Sequence, residues 1–196
     1  LKEALIDAAQ SLIAEQGPEG FTMADACRAA GVSTAAPYRH FADRGALVEA
    51  VALQGFEKLA NHLRPARDSH PAGTVESIVA MGRAYIGFAK KEPAQFKLMF
   101  GCHPAVQTDG QPPEDGKPCF MVLLEAVAAW FDRVGETASE QRILDTALML
   151  WTIVHGTAYL LLDNDFDAVA PGTDADEVVS RATRALLSGL AAAGGE

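Results

Sequence analysis

Arg39, His40 and Arg44 bring three basic heads within six positions of one another. Guanidinium groups so placed suit phosphate oxygens, and Arg39 can donate to O6 and N7 of a guanine together. Two other groupings invite a metal. Asp163-Asn-Asp165-Phe-Asp167 has the 1-3-5 spacing of a calcium loop. Its sixth position is Ala168 where glycine is needed and its twelfth is Asp174 rather than glutamate, so it reads as a solvated acidic turn. Cys102-His103 and Cys119 match no paired zinc motif. No metal and no cofactor are therefore expected. Nor is an enzyme: there is no phosphate-binding glycine loop, no GxSxG, no HExxH and no carboxylate pair spaced for acid–base work.

A further grouping is apolar with a few polar handles. Tyr85, Phe88, Phe96, Met99, Phe100, Phe120, Met121, Trp151, His155 and Tyr159 supply aromatic and thioether surface of the kind that lines an adaptable cavity. Tyr85, Phe88, Met99, Phe120, Trp151, His155 and Tyr159 are the candidate ligand-binding residues. Gly156, inside a helical pattern, costs ~1 kcal/mol against alanine, so close packing is expected there.

The elements that position these groups are helical almost throughout. Leu5, Ala9, Leu12, Ile13 and Gln16 form one stripe, stopped by Gly17-Pro18. Short helices are expected near 23–30 and 34–41, a long one from Arg44 to Arg64, and a polar linker from Pro65 to Gly73. Further helices are expected near 74–91, 94–100, 118–134, 140–162 and 175–193, with a mobile loop over 101–117. No alternating run predicts a strand. The fold class is all-α with about nine helices: a three-helix domain over 1–45 and a helical ligand-binding and dimerisation domain over 46–196. The 196 residues, 49% apolar and 21% charged, suit a globular chain, and three scattered cysteines do not suit a secreted disulfide scaffold. No stretch reaches the ~18 uninterrupted apolar residues of a membrane span. With no charged-then-apolar leader, a cytoplasmic location is expected. The chain opens at Leu1, so residues are expected ahead of it.

Thr22 to Ser33 carries its own logic. Thr22 caps a helix with Asp25 three positions on, and Gly31 suits a left-handed turn. Cys27 is small where two helices cross. Ser33 then caps a second helix, with Val32 and Phe41 assigned to the small core beneath it. Two helices joined by a glycine turn make a helix-turn-helix, whose second member enters the major groove. Pro37 distorts the tip of that member, which starts either at the Ser33 cap or one turn later with Pro37 in its first turn.

Leu5-Ile-Asp-Ala-Ala, Phe21-Thr-Met-Ala-Asp, Ala30-Gly-Val-Ser33, Tyr38-Arg-His-Phe41, Arg44 and Ala46-Leu47 together resemble the N-terminal domain of the tetracycline-repressor (TetR) family over about residues 3–53. Trp151-Thr-Ile-Val-His155-Gly156 resembles the Trp…His-Gly motif of one C-terminal subclass. The resemblance implies a homodimeric regulator, usually a repressor, that leaves a double-stranded DNA operator when a small-molecule inducer enters the C-terminal domain. It implies phosphate contacts for Tyr38, His40, Arg44 and Thr22, and base reading by Ser33, Thr34, Ala35 and Arg39.

Charge runs against this. The net charge is −10, and residues 1–50 carry four basic and seven acidic side chains, a net −3. Contacts to DNA are then local, at the basic tip, and weakly salt-dependent. The greasy helix near 140–162 and the small-residue stripe of the last helix predict a four-helix contact between two copies. No membrane partner is expected. The rival reading is a helical adaptor that binds protein and has no DNA activity.

Overall fold

The computed structural model describes residues 1–101 and 117–193, so the expected loop, apart from its ends, and Cys102-His103 lie outside the described residues. Among the described residues there are nine α-helices, one 3-10 turn and no strand. Two compact units form. The first holds α1 (Lys2–Gln16), α2 (Met23–Ala29), the 3-10 turn (Pro37–Arg39), α3 (Arg44–Asp68) as far as Lys58, and α5 (Pro93–Phe100). The second holds α3 from Leu59, α4 (Val75–Lys91), α6 (Lys117–Val134) from Pro118, α7 (Glu140–Leu162), α8 (Asp165–Val169) and α9 (Ala175–Ala193).

The units do not divide at 45/46. Leu5, Ile6, Ala9 and Ile13 of α1 are buried in one cluster with Phe21, Ala26, Cys27 and Phe41. The same cluster takes in Leu47, Val48, Val51 and Ala52 of α3 and Leu98 of α5. Water is excluded from this small core only when α3 and α5 cover it, and so they belong to it. Val32 packs on its edge, as expected.

Three local expectations are corrected. The helix predicted over 34–41 is a single 3-10 turn. Pro37 has no N–H, the Ser33 carbonyl accepts from Ala36 N–H at 3.0 Å instead, and Ala36 rather than Ser33 holds the N-cap position. Downstream, Phe41 is buried and Asp43 accepts from Ala46 N–H at 2.9 Å, which starts α3 and leaves room for one turn. The long helix, in turn, does not stop at Arg64. It runs through Pro65 to Asp68 because side chains satisfy its last carbonyls: Ser69 Oγ donates to Ala66 O (2.6 Å) and Ser77 Oγ to Arg67 O (2.9 Å). Finally, the acidic 163–167 stretch includes the short helix α8, entered through Asn164 at φ 61°.

In the second unit α4, α7 and α9 pack on one another. Arg83 Nε donates to Ser180 Oγ (2.9 Å), Arg184 pairs with Glu76 (2.8 Å), and Lys90 with Asp176 (3.3 Å). Gly82 allows α4 and α9 to close, since a Cβ there would lie 2.7 Å from Val179. By length and composition α7 is apolar enough to cross a membrane, the one such helix among the described residues. In this unit it buries Thr146, Ala147, Leu150, Val154, Thr157 and Ala158. Its outer face leaves Leu148 (40%), Met149 (40%) and Leu160 (45%) in solvent, in line with Thr152 and Gly156. Among the described residues nothing packs closely at Gly156: a Cβ there meets nothing within 4 Å.

Candidate nucleic-acid interface

The first unit presents its polar tip through a capped helix and a tight turn. Thr22 Oγ1 accepts from Asp25 N–H (3.2 Å), and the Asp25 carboxylate accepts from Thr22 N–H (2.8 Å), so two loose N–H groups at the start of α2 are tied. These bonds, Thr22's first, with Arg28 beside it, hold the Asp25 carboxyl below its ordinary range. At the other end of α2, Val32 N–H donates to Cys27 O (2.9 Å) and Gly31 N–H to Arg28 O (3.2 Å), with Gly31 at φ 68°. That is a Schellman motif, and it swings the chain toward Ser33.

Ser33, Thr34, Ala35, Tyr38, Arg39 and His40 are all exposed, and so is Thr22. Tyr38 leaves 62% of its surface in water although Pro37 and Phe41 on either side of the turn are buried. The turn thus pins itself to the core by two apolar residues and pushes a phenol, a guanidinium and an imidazole outward. Among the described residues Arg39 has no ion pair or side-chain hydrogen bond. His40 rests edge-on to Phe41 at 6.4 Å. Arg44 is different. Its guanidinium donates to the Pro18 carbonyl and the Glu19 carboxylate and lies 5.6 Å from the centre of the Phe21 ring. It clamps the turn between α1 and α2.

The aromatic candidates divide between the units. Met99 belongs to the first, where it and Gly55 meet: a Cβ on Gly55 would lie 2.6 Å from its sulfur. The others lie in the second. Phe88 packs edge-on to His62 at 5.6 Å. Phe120, Trp151, His155 and Tyr159 form a continuous line of rings with centroids 6.2, 5.1 and 5.0 Å apart, three of them one turn apart along α7. Tyr85 joins it from α4, its hydroxyl 2.8 Å from His155 Nδ1. Which of the two donates in that bond follows the imidazole tautomer. Burial drives Tyr85 far above the phenol range and holds His155 below its ordinary value, so both are neutral. It also pushes the Cys119 thiol up to about 11, which makes it inert. Among the described residues no group of three or more His, Cys, Asp or Glu side chains stands ready for a metal.

The sequence reading missed Gln10, Lys58 and Gln95, which meet in the first unit. The one signal in the sequence was Gln95 set between Ala94 and Phe96.

Residues 78–186 match the family described as "Tetracyclin repressor-like, C-terminal domain", more than half of the chain. Residues 5–51 match "Bacterial regulatory proteins, tetR family". The chain belongs to the TetR family. Its first unit therefore carries a TetR-family DNA-binding domain, on which Ser33, Thr34, Ala35, Tyr38, Arg39 and His40 are exposed. A protein of unknown function from Rhodococcus sp. RHA1 shares this fold at TM-score 0.80 and 27% identity, over 96% of this chain and 94% of that one. FadR of Bacillus subtilis, solved with stearoyl-CoA, shares it at TM-score 0.72 and 14% identity, over 95% and 98%. The HTH-type transcriptional regulator AlkX of Mycobacterium tuberculosis is 24% identical over 101 residues, 52% of this chain. That stretch spans about half the length of AlkX (48%).

Proposed function

We propose that this TetR-family chain is a ligand-responsive repressor that acts as a homodimer in the cytoplasm and catalyses nothing. Ser33, Thr34, Ala35 and Arg39 read base edges of a pseudo-palindromic operator, and Thr22, Tyr38 and His40 hold phosphates. Arg44 joins them by exchanging Glu19 for a phosphate oxygen. The observation that carries the reading is the turn over 37–41: it buries Pro37 and Phe41 and yet leaves Tyr38 62% exposed beside Arg39. An apolar tail beside a free guanidinium has no folding advantage, while a groove accommodates both.

Two copies join through the outer faces of α7 and α9. Leu148, Met149 and Leu160 are apolar and exposed, and Gly156 and Gly189 have open space above them. Self-complementary contact covers such a face. A small apolar ligand, held near Trp151, His155 and Tyr159 and handled by the Tyr85 hydroxyl, favours a dimer whose tips no longer fit one DNA face. The FadR complex with an acyl-CoA supports a ligand with a long apolar part. The test is a gel shift with the DNA flanking the chain's own gene at moderate salt. Sequence-selective binding is expected, lost in the Tyr38→Ala, Arg39→Ala double variant; its absence in the wild type refutes the proposal.

A further inference from the structure

We infer that Lys58, Gln10 and Gln95 form a one-directional relay that sets the orientation of the DNA-reading turn and thereby the separation of operator half-sites that the dimer accepts. The inference rests on the DNA-reading function proposed above.

The relay is built from groups whose roles cannot be exchanged. Lys58 Nζ can only donate, and it reaches Gln10 Oε1 at 2.5 Å. Gln10 must then turn its amide nitrogen outward, and that nitrogen donates to Gln95 Oε1 at 2.7 Å. Gln95 is left to donate, and its Nε2 reaches the Val51 carbonyl, which can only accept, at 3.0 Å. An ammonium at one end and a backbone carbonyl at the other fix both amide orientations. The bonds tie α1 to α3 and α5 at once.

The relay sits where leverage is large. Gln95 is 3% exposed, so its bonds do not compete with water. Gly55 brings α3 and α5 into contact beside it, since a Cβ there would lie 2.9 Å from Gln95 Nε2. A second, longer tie joins α3 to α1 from Gln54 to Asp7 at 3.4 Å. α1 shares its apolar core with Phe41, the residue that anchors the reading turn. Apolar contacts of that kind are non-directional and allow small rotations, whereas directed bonds at the Lys58 level of α3 hold a single setting. Gln10, Lys58 and Gln95 are positioning residues: none is at the tip.

The experiment uses the full chain and an operator selected from random duplexes, together with the same operator lengthened or shortened by one base pair between its half-sites. The wild type is expected to prefer the selected spacing. In the surface-end variant Lys58→Met, which loses one relay hydrogen bond, that preference falls about fivefold, and in Gln95→Leu, which loses two, it falls at least as far. Hydrogen exchange, read without DNA, is expected to speed up in α1 and not in α2. An equal loss of affinity on every spacing, with preference intact, assigns the relay a merely structural role and overturns the inference. So does unchanged exchange in α1. A wild type that selects no duplex overturns the DNA-reading function itself, an outcome distinct from either.

Discussion

Replacing Gly156 by alanine decides whether the outer face of α7 is bare or covered. Among the described residues of one chain a Cβ at this position meets nothing within 4 Å. If the face stays in water, the substitution adds only helix propensity, ~1 kcal/mol in favour of folding. For a chain of this length that raises Tm by roughly 2–4 °C. If a second copy covers Leu148, Met149, Gly156 and Leu160, two new methyl groups enter one contact, because a twofold axis repeats every change. An added methyl in a tight contact costs ~1–3 kcal/mol, so the pair weakens association by ~2–6 kcal/mol, while the gain in helix propensity is present in the free chain and in the dimer alike and cancels. The expected result is a dimer dissociation constant raised at least about tenfold in Gly156→Ala. The isolated chain, meanwhile, is no less stable. Sedimentation equilibrium gives the constant, and unfolding at two protein concentrations separates the terms, since only a dimer has a concentration-dependent midpoint. A Gly156→Ala protein with higher Tm and an unchanged dissociation constant refutes the argument.

Other outcomes are expected from the same coordinates. Gly73 stands at φ +73°, and a Cβ there would lie 2.2 Å from the Ala129 carbonyl oxygen. Gly73→Ala should cost ~2–5 kcal/mol from the left-handed backbone and the forced shift of α6. Gly135→Ala, at φ +79° with open space, pays only the first part; equal thermal shifts in the two variants contradict this. Arg39→Ala should lose ~1–3 kcal/mol of operator affinity and relax the preference at one position of each half-site, measured by competition with single-base variants. The slope of log K against log salt should be no steeper than about −5, as the tip carries few cations; a value near −10 contradicts the contact set. Burial holds His155 below its ordinary value of 6.5, so the unfolded chain binds the proton more readily. Stability is then fully present above pH 6.5 and declines as pH falls below it. The thermal midpoint should show that decline in wild type and a flatter profile in His155→Gln; parallel profiles refute it.

Local chemistry made part of this protein readable before any coordinates. The α2 cap needs only Thr22 and Asp25 three apart, and the turn after it needs only Gly31, so both appear in the structure as the spacing requires. The helix stripes were legible for the same reason, with bounds displaced where long-range partners intervened. At Pro65 the carbonyls of a helix end are satisfied by Ser69 and by Ser77, and the latter lies ten residues on. At 34–41 the reverse happened: a local pattern that resembles a full helix is cut to one turn between Pro37 and the start of α3.

Periodicity, caps and breakers thus specified an all-α chain and the capped helix with its glycine turn ahead of Ser33, because each depends on neighbours within about one helical turn, whereas the side chains beyond that turn were assigned by the family resemblance. The packing of α5 into the first unit, the clamp of Arg44 on Glu19 and the relay from Lys58 to Val51 were settled only in three dimensions. Gln10 and Gln95 stand 85 positions apart, and each alone is an ordinary polar residue on a helix. Their meaning comes from a core that must exclude water and, in closing, turns two amides toward each other and toward the groups at either end.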